Sequence, residues 1–120
     1  MVATVLLVDD HAGFRAQARV LLATAGFDVV AEAEDAAGAL ETARSLRPEV
    51  ILLDVQLPDG NGFDLARAIL EGDDPPIVIL ISSREAADYG AQIDRSGARG
   101  FISKAELSVG AITALVRGDP

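Results

Sequence analysis

An α/β fold built on a doubly wound, five-stranded parallel sheet is predicted by three observations. Thr4-Val5-Leu6-Leu7-Val8, Val50-Ile51-Leu52-Leu53 and Ile77-Val78-Ile79-Leu80-Ile81 are apolar on both faces and rich in Val and Ile, as fully buried parallel strands are. Between them lie stretches whose apolar residues recur at helical spacing. Each run also stops on polar residues: Asp9-Asp10, Asp54 and Ser82-Ser83, while a shorter run, Gly100-Phe101-Ile102-Ser103, stops on Lys104. All these groups therefore fall at strand carboxyl ends, the edge at which open α/β sheets bind ligands.

The elements follow in order. After the first strand, Phe14, Ala18, Leu21, Leu22 and Ala25 share one helical face, and Gly26 suits a left-handed cap. The second strand is Asp28-Val29-Val30-Ala31-Glu32, and Ala36, Ala39, Leu40, Ala43 and Leu46 then repeat at helical intervals until Pro48. The third strand ends on Asp54, and Val55-Gln56-Leu57-Pro58-Asp59-Gly60-Asn61-Gly62 reads as a loop of tight turns before Phe63, Ala66, Ile69 and Leu70 mark a third helix. Asp73-Asp74-Pro75-Pro76 is a break before the fourth strand. A fourth helix is expected around Arg84 to Ser96; Tyr89 and Ile93 are its only large core candidates, and Gly90 inside it costs about 1 kcal/mol relative to Ala. Gly97 ends it, a fifth strand runs from Ala98 to Ser103, and Leu107, Ala111, Ile112, Leu115 and Val116 give a last helix closed by Gly118. Five strands alternating with five helices imply right-handed crossovers and helices on both faces. In the flavodoxin-like order 2-1-3-4-5, strands one and three adjoin, and Asp9, Asp10 and Asp54 become neighbours.

With 120 residues, half of them hydrophobic, the chain can build one domain with a sizeable core, expected over residues 1–118, with 119–120 as a C-terminal tail or the start of a linker. Nineteen acidic against ten basic residues give a net charge of −9, which repels phosphate backbones and argues against direct nucleic acid binding by this domain. The absence of cysteine excludes disulfides and thiolate metal sites, and a single histidine, His11, excludes structural zinc. Met1-Val2-Ala3-Thr4 has no cationic region of a signal peptide, and no stretch reaches the roughly 20 apolar residues of a membrane span. No membrane association and a cytoplasmic location are expected.

Three clustered carboxylates raise one another's pKa unless a cation joins them. Magnesium suits such a site, because it is a hard ion that combines one or two carboxylates with waters and substrate phosphate oxygens. A carboxylate can then attack a phosphoryl group while the Lys104 ammonium offsets charge on the transferring oxygens, and Asp54 is the candidate nucleophile. An aspartate after a strand often caps the next helix, a role open to Asp9 and Asp10. It is closed to Asp54, since the next helix begins only at about Gly62 and a charge after four buried aliphatics needs another partner. Lys104 taken alone reads as a solvated lysine and Ser82 as a turn former; their convergence on one sheet edge is what gives them weight. His11 fits a partly exposed turn residue and receives no role.

The chain resembles the receiver domain of bacterial two-component response regulators over essentially its whole length. The residues that carry the likeness are Asp9-Asp10, Asp54 with Pro58 and Gly62 in a Leu-Pro-Asp-Gly-Asn-Gly loop, Ser82, and Gly97-Ala98-Arg99-Gly100-Phe101-Ile102-Ser103-Lys104. The resemblance implies that a sensor histidine kinase or a phosphotransfer protein supplies a phosphohistidine and that Asp54 accepts its phosphoryl group. It implies that Asp10, Asp54 and the backbone carbonyl of Gln56 bind Mg2+, with Asp9 acting through the metal's waters. It further implies that Lys104 pairs with a phosphate oxygen, that the Ser82 hydroxyl turns to the phosphate, and that Phe101 rotates inward. The shift between two packings would be read on the face of the fourth helix, fifth strand and fifth helix. Homodimerisation through that face is left open.

Ser82 stands where threonine is commoner, Phe101 where tyrosine is, and Ala105-Glu106 follow Lys104 where many receivers have proline. Gln56 and Arg84, two residues beyond Asp54 and Ser82, are expected to flank an attacking water and set the phosphoryl lifetime. A haloacid-dehalogenase-like phosphatase is the rival enzyme, but it needs a second acid where Gln56 stands, so the only catalysis expected is self-modification. An unphosphorylated receiver-like interaction module usually lacks a key acid or the lysine, and all are present. Flavin binding is disfavoured because the loop after the first strand lacks a hydroxyl- and glycine-rich phosphate cradle.

Overall fold

The computed structural model describes residues 2–118; the expected tail at 119–120 lies outside the described residues. Strands β1 (Thr4–Val8), β2 (Asp28–Ala33), β3 (Val50–Asp54), β4 (Ile77–Ser82) and β5 (Gly100–Ser103) form one parallel sheet in the order β2-β1-β3-β4-β5. Strand order and fold class thus match the expectation. Val8 pairs with Leu53, Asp54 with Ile81, and Ser82 with Ser103, so the residues after β1, β3, β4 and β5 converge on one edge.

Strand alternation sends side chains to two cores. Val5, Leu7, Val50, Leu52, Ile79 and Ile81 pack with Ala18 and Leu22 of α1 (Ala12–Thr24) and Ile112 of α5 (Val109–Arg117). On the other face, Leu6, Val8, Ile51, Leu53, Val78 and Leu80 meet Ala39 of α2 (Ala36–Leu46) and Phe63, Ala66 and Ile69 of α3 (Gly62–Leu70). Burying each such aliphatic side chain is worth about 2 kcal/mol, so the middle strands are the rigid base on which the edge groups stand. Three helices start on side-chain caps: Asp35 accepts from the Gly38 amide, Asn61 from Asp64, and Ser108 from Ala111.

Three local expectations are corrected. The helix anticipated over Arg84 to Ser96 is a 3-10 turn at Ala86–Asp88, then Gly90 at φ +56°, then a four-residue α4 (Gln92–Arg95). Gly90 occupies the left-handed region that breaks a helix, so the i, i+4 spacing of Tyr89 and Ile93 spans two separate turns. Leu46, placed on the apolar face of the second helix, is 52% exposed at that helix's last turn. The loop after β3 is partly ordered as a small antiparallel pairing of Gln56–Leu57 with Gly60–Asn61.

Candidate functional site

Asp9 follows β1 and Asp54 ends β3, and both are buried, whereas Asp10 is exposed. None of them caps α1. Its N-cap is His11, and Asp9 Oδ1 instead accepts the His11 backbone amide at 2.8 Å. The His11 ring, read from sequence as a bystander, joins the cluster: its Nδ1 lies 3.2 Å from Asp9 Oδ1 and 3.0 Å from Asp10 Oδ1. Arg15 donates to the Asp9 carbonyl at 2.6 Å and to Glu32 at 2.9 Å, which ties α1 to the ends of β1 and β2.

Lys104 closes the site from β5. Its Nζ lies 2.7 Å from Asp9 Oδ2 and 3.4 Å from Asp54 Oδ2, and it stands 4.4 Å from the centroid of the Phe14 ring. Phe14, on the apolar face of α1, is therefore also a cation–π platform for that ammonium. Burial works to lower the Lys104 pKa, but the hydrogen bond to Asp9 and the charges of Asp54 and Asp9 prevail and hold it above its ordinary value. The Asp54 carboxyl is pushed up to about 6 by burial, with the Gln56 amide bond opposing, Asp9 raising it further and Lys104 lowering it. The Gln56 amide donates to Asp54 Oδ1 at 3.1 Å, which fixes the carboxylate's rotation.

Asp10, His11, Asp54, Gln56, Pro58 and Lys104 line an open cleft of about 490 Å³. Ligand atoms of Asp9, Asp10, His11 and Asp54 lie within 4.8 Å of one another. Three carboxylates face one ammonium, so the donor set is hard, oxygen-rich and anionic, and it fits a magnesium ion. The sheet edge thus brings together Asp9, Asp10, Asp54, Gln56 and Lys104. Ser82 and Phe101 lie close by but address the α3 side, where the Ser82 hydroxyl sits 2.7 Å from the Tyr89 hydroxyl and the Phe101 ring packs on that of Tyr89.

The loop after β3 holds a positioning residue whose role its sequence context does not reveal. Asp59, read as part of a Pro-Asp-Gly turn, accepts the Ala36 and Ala37 amides at 2.7 and 3.1 Å, pinning the loop that carries Gln56 to the start of α2. These two bonds hold its carboxyl below the ordinary value of 3.8. A lowered carboxyl pKa stabilises the fold at pH values above the unfolded pKa, and that contribution is lost as pH falls through the folded one. Asp59→Ala should therefore lower the melting temperature at neutral pH, and the deficit should shrink below about pH 3.8. Paired melts across pH test this, and a deficit independent of pH contradicts it.

A family model for the response regulator receiver domain matches residues 5–117. The chain belongs to that family. As a receiver domain it is the phosphoacceptor module of two-component signalling. It is 30% identical over 94% of its length to the transcriptional regulatory protein DegU of Brevibacillus brevis, covering 48% of that protein. It is also 40% identical, over 72% of its length, to a protein-glutamate methylesterase/protein-glutamine glutaminase of Anaeromyxobacter dehalogenans, covering 26% of it. The LuxR-family two-component response regulator of Aurantimonas sp. SI85-9A1 superposes with a TM-score of 0.88 at 31% identity, over 98% of this chain and 87% of that one. The receiver domain spans about half the length of the first curated relatives it matches. Among its described residues no helix is long and apolar enough to cross a membrane.

Proposed function

We propose that Asp54 is the phosphoacceptor and that residues 1–118 work as a magnesium-dependent switch in the cytoplasm. The observation that carries this reading is a buried carboxylate at the end of β3, held by the Gln56 amide, 3.4 Å from the Lys104 ammonium and open to an acidic cleft. A phosphohistidine on a sensor histidine kinase or phosphotransfer protein is the donor. An Asp54 carboxylate oxygen forms the new bond to phosphorus as the phosphorus–nitrogen bond breaks, its electron pair staying on the imidazole. Lys104 moves its interaction from the carboxylate to a phosphoryl oxygen. Asp10, Asp54 and the Gln56 carbonyl would hold Mg2+, with Asp9 behind them; the ion supplies charge neutralisation on the transferring oxygens. The Ser82 hydroxyl turns toward the phosphoryl group, Phe101 moves inward, and the face of α4, β5 and α5 changes. Gln56 and Arg84, both exposed, set the decay rate, and the chemistry is self-modification.

Incubation with acetyl phosphate and magnesium should add about 80 Da, the mass of a phosphoryl group, by intact mass. Asp54→Asn should abolish the adduct, as should chelation of the metal. An adduct that persists in Asp54→Asn refutes the assignment.

A further inference from the structure

The Ser82 hydroxyl is fully buried and occupied on two sides: it accepts the Arg84 amide at 3.1 Å and lies 2.7 Å from the Tyr89 hydroxyl. Tyr89 follows the 3-10 turn and precedes Gly90 in a segment that is otherwise exposed. Its ring meets Phe63 at 5.2 Å and Phe101 at 5.8 Å, both edge-on. One side chain therefore joins the strand-end hydroxyl, α3, β5 and the connection to α4. Phe101 has no hydroxyl with which to do this.

We infer that Tyr89 is the positioning residue that holds Ser82 in its resting place, and that phosphorylation of Asp54 breaks the Ser82–Tyr89 hydrogen bond. This rests on the reading of Asp54 and Ser82 given above. A serine hydroxyl has one proton and two lone pairs, and a phosphoryl oxygen can only accept, so Ser82 must aim its proton at the phosphate. Ser82 alternates in phase with Val78 and Leu80, which pack in the core beside Tyr89, whereas Asp54 is in phase with Val50 and Leu52 of the opposite core. Turning from one side to the other carries the Ser82 oxygen away from Tyr89. The ring then loses its side-chain hydrogen bond while Phe101 moves inward, and the turn it anchors is released toward α4.

Tyr89 is the only tyrosine and there is no tryptophan, so its emission reports the event directly. Beryllium fluoride with magnesium should change the tyrosine emission of wild type and leave that of Ser82→Ala unchanged, because the bond is already missing there. Tyr89→Phe keeps the ring and removes the hydroxyl; it should bind beryllium fluoride about fivefold more tightly, since the resting state has lost one hydrogen bond. In the Ser82→Ala background the same substitution should have no effect. A purely structural role would instead change both backgrounds alike. A phosphoryl adduct of about 80 Da, with wild-type emission unaltered and Tyr89→Phe binding like wild type, overturns the inference alone. Failure to form the adduct at all rejects the site assignment and this inference with it.

Discussion

Lys104→Met is expected to destabilise the fold by about 3 kcal/mol and to reduce phosphoryl uptake to near background. The Asp9 carboxylate is fully buried, and Lys104, 2.7 Å from its Oδ2, is the only cation paired with it among the described lysines and arginines. Removing one member of such a pair strands the other, and the cost of an uncompensated buried charge exceeds the net worth of the pair. Methionine keeps an unbranched apolar chain at this position and removes the ammonium together with its contact over the Phe14 ring, so the loss isolates charge from packing. The double variant Asp9→Asn with Lys104→Met should recover most of the stability and none of the phosphorylation. Urea unfolding in magnesium-free buffer measures the first effect and intact mass the second. A single variant that unfolds like wild type would show that Asp9 does not depend on Lys104.

Gly62→Ala should cost about 2 to 3 kcal/mol and impair phosphorylation as well, for a reason lying in the backbone. A Cβ on Gly62 would stand 2.5 Å from the Asp54 carbonyl oxygen and 2.9 Å from the Val55 Cα. Both neighbours are main chain, so no rotamer change relieves the overlap, and the Gly62 amide bond to the Val55 carbonyl at 2.7 Å holds the two segments at that distance. Whatever gives way moves the peptide that orients Asp54. Gly60→Ala in the same loop is the control, because its added methyl would meet only Ala36 Cβ at 3.8 Å. Equal melting temperatures for the Gly62 and Gly60 variants would contradict the argument.

The sheet and the acidic edge were legible because their signals are local. Buried parallel strands appear as unbroken aliphatic runs, and a charge closing such a run, as Asp54 does, is costly to bury unless a partner or a ligand awaits it. The groups that were missed find their partners through tertiary structure. Asp59 bonds amides up to 23 residues away, Phe14 meets Lys104 from the far end of the chain, and Tyr89 reaches back over a turn to Ser82. Each already had an adequate local reading as a turn residue or as core. The fourth helix was overread for a related reason: spacing cannot distinguish a continuous helix from two turns separated by a left-handed glycine, and only the +56° φ of Gly90 does so.

The brevity of α4 bears on amide exchange. Its four residues close very few hydrogen bonds of their own, and the turn before it rests on the half-buried Tyr89 as its one large anchor. Opening this stretch would expose little apolar surface while β1, β3 and β4 stay shut, so its amides are expected to exchange through low-cost subglobal openings. If this stretch is the face that changes on phosphorylation, as proposed above, its amides should exchange faster than those of β1, β3 and β4, and the signal there would take the form of a changed distribution of conformers.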